Sequence, residues 1–166
     1  MSNQSAIRPR TELPLRRDEW ELLVRLPGRV VVAATSAEAD SARRTVVEGL
    51  AGIDAIAAGR ASASRLVRDV VAAIYAETGA EEPAAEEFHD RSAGIAEVLD
   101  ACRTVGRLLR TRAGREDRDA YRHWLEAIAA RVCQASRSGG VLGMGGPLVS
   151  PAEQRFLADL GAAFDG

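Results

Sequence analysis

Residues 116–137 read EDRDAYRHWLEAIAARVCQASR, and within them Tyr121, Trp124, Leu125, Ile128, Ala129, Val132 and Cys133 recur three and four positions apart. That period places all of them on one stripe of an α-helix, and a stripe this wide must be covered by other elements. The helix is expected to stop before Gly139 and Gly140. Upstream, Ile95, Val98, Leu99, Cys102, Val105 and Leu109 repeat the spacing, with Ser92, Ala93 and Gly94 as a candidate break and an arginine-rich tail. Downstream, Ser150 stands at an N-cap, Pro151 at the first helical position and Glu153 at the third. That is a capping box with the expected proline placement, and it leads a helix carrying Phe156, Leu157, Leu160 and Phe164.

Toward the N-terminus the same period continues. Leu66, Val67, Val70, Val71, Ile74 and Tyr75 predict a helix over 62–77 that ends before Gly79. Residues 40–60 predict another, with Val46, Val47, Leu50, Ile53 and Ala57 as its apolar face and Asp54 at the border of that face. Gly49 and Gly52 each weaken this helix by up to ~1 kcal/mol relative to Ala, so close helix approach is the expected compensation. A short helix capped by Asp18 carries Trp20, Leu22, Leu23 and Leu26 and is expected to be interrupted at Pro27, which has no N–H to donate. The run Val30, Val31, Val32, Ala33, Ala34 within 28–35 fits a buried strand or a buried helix. Helix is preferred, because no other segment offers a strand partner.

The expected fold is therefore all-α, an irregular or orthogonal bundle of five to seven helices, since no heptad repeat is sustained through the chain. At 166 residues the chain suits one domain. Residues 1–17 are polar and carry Arg and Pro, the composition of a disordered arm, and 18–166 form the helical domain. Aromatics are only 4% of the chain, so the core is built from Leu, Ile, Val and Ala around Trp20, Tyr121 and Trp124. All 22 basic residues are arginine and the net charge is -2, which provides no global attraction to nucleic acid or to an anionic membrane. No apolar run approaches the ~18 residues a membrane span needs, and no signal peptide is legible, so the expected location is cytoplasmic. Cys102 and Cys133 sit in apolar stripes, where a thiol behaves as a small hydrophobe.

Four regions are candidates for function. The segment Gly139-Gly140-Val141-Leu142-Gly143-Met144-Gly145-Gly146-Pro147-Leu148 is too apolar for a linker, and it has neither the Lys-Ser/Thr of a P-loop nor a preceding strand. Val141, Leu142, Met144 and Leu148 are expected to tuck into the core or to bind a protein partner. Glu86 and His89 have the i, i+3 spacing of a metal-binding Glu-x-x-His element, with Glu87 and Asp90 beside them; the competing reading is a solvated acidic helix start. Arg103, Arg107 and Arg110 share a helix face and form a candidate anion patch, but no aromatic alternates with them to stack bases, which argues against nucleic acid. No Gly-x-Ser-x-Gly and no Cys/His pair suggests nucleophilic catalysis.

Glu19-Trp20-Glu21-Leu22-Leu23 with Pro27, the 121–133 helix around Trp124-Leu125, and Gly139 to Gly146 leading to Val149-Ser150 together resemble an uncharacterised family of small helical bacterial proteins. The resemblance covers about residues 19–165 and implies no activity. Val141 and Met144 stand where that family usually has phenylalanine, which keeps both positions apolar. The closing pattern of glycines, Val149-Ser150, Glu153 and an apolar helix also resembles TerB-type tellurite-resistance domains, which implies an acidic metal-binding cluster. The glycine segment here has no aspartate. The leading expectation is a non-enzymatic module that binds a protein partner or itself through 139–148 and adjoining helix faces, with no cofactor. The alternatives are a TerB-like metal-binding stress protein using Glu86, His89 and Asp90, and an anion binder using the arginines.

Overall fold

The computed structural model describes residues 13–37, 42–77, 90–135 and 149–166, with 42–45 described as backbone only. Among these residues the chain forms six α-helices and no strand: α1 (Arg17–Ser36), α2 (Ala42–Ala58), α3 (Arg65–Ala76), α4 (Arg91–Arg112), α5 (Arg115–Ala135) and α6 (Pro151–Ala163). A 3-10 turn at Gly59–Ala61 joins α2 toward α3. The apolar stripe of α5 is the centre of the bundle: α5 packs against every other helix, most extensively against α2. Its Tyr121, Leu125, Ile128, Ala129 and Val132 are fully buried, and Trp124 nearly so. Tyr121 and Trp124 meet edge to face with ring centroids 5.8 Å apart, an arrangement that aromatic quadrupoles favour.

Helix starts follow the local chemistry. At α6 the Ser150 hydroxyl accepts from the Glu153 N–H at 3.2 Å, and the Glu153 carboxylate accepts from the Ser150 N–H at 2.7 Å, so two otherwise orphaned donors are satisfied. Asp90 caps α4, accepting from the Ser92 and Ala93 N–H groups; the Ser92-Ala93-Gly94 stretch is thus the first turn of α4 and not a break in it. Ser64 caps α3 and donates to Asp117 at 2.7 Å, which ties the start of α3 to the start of α5. At α1 the reciprocal partner is Glu19, which accepts from the Arg16 N–H at 2.8 Å; Asp18 lies inside the first turn and is not the cap. Leu13 and Leu15 pack against the core just ahead of this helix.

Two further expectations are corrected. The chain does not bend at Pro27: α1 is continuous for 20 residues, and 28–35 is its second half, helical as preferred. Proline at position 27 removes the N–H that would bond to the Leu23 carbonyl, four residues earlier. The Tyr121 hydroxyl, wholly buried, donates to that carbonyl at 2.8 Å and replaces the missing donor from across the core. The second correction concerns α2. Its large apolar side chains turn outward: Val46 is 63% exposed, Leu50 59% and Ile53 55%. What α2 buries is the opposite face, with Glu48, Gly52, Ala55 and Ile56. Gly52 lies so close to α1 and α5 that a Cβ there would meet Val31 at 2.6 Å and Val132 at 3.2 Å, the close approach expected of a helix glycine, whereas Gly49 has open space around it.

Candidate functional site

The outward face of α2 is built by spacing alone. Val46, Leu50, Ile53 and Ala57 follow one another at intervals of four, three and four, and the helical period gathers them within about 60° of arc. Val47 flanks them and is also exposed. The helix is held by its other side, where Trp124 donates to the Ala55 carbonyl at 3.3 Å and Gly59 sits beneath the Trp124 indole. The stripe is therefore presented on a fixed element. A contiguous exposed apolar surface of this kind marks an interaction site more often than a single exposed Leu or Val does.

Beside the stripe, α2 and α5 leave an open cleft of about 450 Å³. Buried Ala55, Gly59 and Trp124 form its floor, and exposed Asp54, His123 and Arg131 stand at its rim. Asp54, at the border of the apolar face in sequence, is solvent-exposed. The floor is apolar and shallow, suited to a side chain or a helix edge. Ser62 also lines the cleft. The two cysteines lie elsewhere in the core: burial pushes the Cys102 thiol up to about 12 against the opposing pull of Arg29 and Arg103, and burial with Glu153 and Glu48 pushes the Cys133 thiol up to about 12. Such thiols are neutral at physiological pH and poor nucleophiles.

The other candidates separate. Val141, Leu142, Met144 and Leu148 lie outside the described residues, as do Glu86 and His89. Asp90 is engaged as the α4 cap, and among the described residues no group of three or more His, Cys, Asp or Glu side chains gathers to hold a metal ion. Of the arginine patch on α4, Arg103 pairs with Asp100 at 3.7 Å and Arg107 donates to the Thr104 hydroxyl at 3.2 Å. Arg110 donates to the Phe164 carbonyl at 3.4 Å and to the Gly166 carbonyl, so it fastens the chain after α6 onto α4. Arg122 on α5 reinforces this through Asp165 and Glu126. The face is structured by internal contacts, with Arg103 and Arg107 projecting from it.

Among the described residues, no helix is long and apolar enough to cross a membrane. Comparison with protein-family models finds no match. Neither the curated proteins nor the solved structures contain a match to this chain. No named family, the TerB-type domains included, is supported by these comparisons, and the chain stands as a small all-helical bundle.

Proposed function

We propose that this protein is a non-enzymatic, cytoplasmic helical interaction module that binds an amphipathic helix along the outward face of α2. The observation that carries the reading is the exposure of Val46, Leu50 and Ile53, each more than half open to solvent on a helix anchored from behind by Gly52, Ala55 and Trp124. A helix laid along that stripe presents its own apolar residues three and four apart, the helix-in-groove mode of recognition. Asp54, His123 and Arg131 supply polar rim contacts. The apolar segment 139–148, expected from the sequence to be the docking element, lies outside the described residues, so the reading rests on α2.

The test uses a polarity-sensitive fluorophore on an Ile53→Cys variant, titrated with a synthetic amphipathic helix carrying Leu at heptad a and d positions. A saturable blue shift, abolished by Leu50→Glu in the same background, is the expected result. Water-like emission throughout the titration would overturn the reading.

A further inference from the structure

We infer that the helix received by α2 is the α2 of a second copy of this chain, paired antiparallel across a two-fold axis; the inference rests on the interaction reading above and names its occupant. Val46, Leu50, Ile53 and Ala57 have the alternating four-three-four spacing of a helix-pair seam, in which Val46 and Ile53 take d positions and Leu50 and Ala57 take a positions. A seam of this length is too short to assemble from free peptides. Here the helix is already formed by packing on α1 and α5, so pairing does not bear the cost of helix nucleation.

The seam is self-complementary in one direction. With two copies antiparallel, Leu50 of each faces Ile53 of the other, and Val46 faces Ala57, so that large side chains meet small ones at both ends and two branched side chains interlock at the centre. A parallel pair sets Ala57 against Ala57 and leaves a gap there. The net charge of -2 per copy sets up little repulsion between copies.

The area sets the strength. A 17-residue helix is about 25 Å long and, with side chains, about 10 Å wide, so the seam and its flanks cover well under the ~800 Å² per partner of a standard stable interface. The dimer is therefore weak and reversible.

The test is light scattering over concentrations from about 5 to about 500 μM. The expected result is a mass rising toward twice the monomer value in wild type and constant at the monomer value in Leu50→Glu, with identical circular dichroism. Direction is read by mixing Leu50→Cys with Ile53→Cys under mild oxidation. Cys102 and Cys133 are buried and do not compete. The mixed 50–53 disulfide is expected to exceed either self-disulfide; dominance of the self-disulfides overturns the antiparallel pairing. A monomeric wild type at every concentration overturns self-association altogether. If that monomer still binds the amphipathic peptide, the interaction reading survives with a different partner; if Leu50→Cys in it resists alkylation, the chain's own segment covers the seam; if it neither binds nor resists, both proposals fall.

Discussion

Tyr121→Phe isolates the contact that lets α1 run through Pro27. The variant removes one oxygen from a fully buried side chain and leaves the Leu23 carbonyl, also buried, without the donor now at 2.8 Å. An unsatisfied buried carbonyl costs about 1–3 kcal/mol, which for a domain of this size lowers the melting temperature by roughly 2–4 °C per kcal/mol. Overpacking or cavity effects are small, because Phe keeps the ring. The discriminating step is the same substitution in a Pro27→Ala background. Alanine restores the backbone N–H, which bonds to the Leu23 carbonyl within the helix, so Tyr121→Phe is expected to cost about 1 kcal/mol less there than in wild type. Urea unfolding followed by circular dichroism measures all four corners of the cycle. Equal costs in the two backgrounds, within ~0.5 kcal/mol, would refute the claim that the tyrosine hydroxyl substitutes for the proline's missing donor.

Gly59→Ala is expected to destabilise by about 1–3 kcal/mol in the same assay, because a Cβ there would stand 2.7 Å from the Trp124 indole nitrogen and 2.8 Å from Val71; a neutral effect would mean the α2–α5 contact is looser than described. Alkaline unfolding follows from the thiols. Below about pH 9 both are protonated in folded and unfolded chains; above it the unfolded chain loses protons that the fold retains to about 12, so stability should fall through that window, and Cys102→Ala/Cys133→Ala should flatten the slope. Finally, Leu50→Ser should change monomer stability by no more than about 0.5 kcal/mol while Ile56→Ala costs about 2–4 kcal/mol, and the reverse order would put the large side chains of α2 inside.

The helices α3, α4, α5 and α6 were legible because each signal is local. Periodicity gave their buried faces, and Ser150-Pro151 with Glu153 marked the start of α6 within the same few residues. The continuity of α1 was not legible, since the group that compensates Pro27 is 94 positions away and on another helix. For α2 the existence of the helix was readable and its orientation was not. Both of its faces are apolar, and a hydrophobic period favours the face with Val46, Leu50 and Ile53. The signal pointing the other way was the second stripe, Gly52, Ala55, Ile56 and Gly59, whose small residues permit closer packing than a Leu/Ile face does. The stripe of the candidate site was thus named from sequence as the apolar face of α2, whereas His123 and Arg131 at the rim of the cleft were not named.

Why the small face won bears on what the large one does. Turning α2 by half a turn would bury Val46, Leu50 and Ile53, each worth roughly 1.5–3 kcal/mol. It would also drive their side chains into space now taken by Val31, Val132 and the Trp124 indole, and it would break the Trp124–Ala55 hydrogen bond. Gly52 and Gly59 fit under those groups with no atom to spare, so the inner face of α2 matches α1 and α5 by shape, and the outer face cannot replace it without moving both helices apart. The apolar burial withheld from the fold in this way is not lost. It is held on a rigid helix, ordered in advance, where a partner that covers Leu50 and Ile53 recovers it with little further loss of conformational entropy.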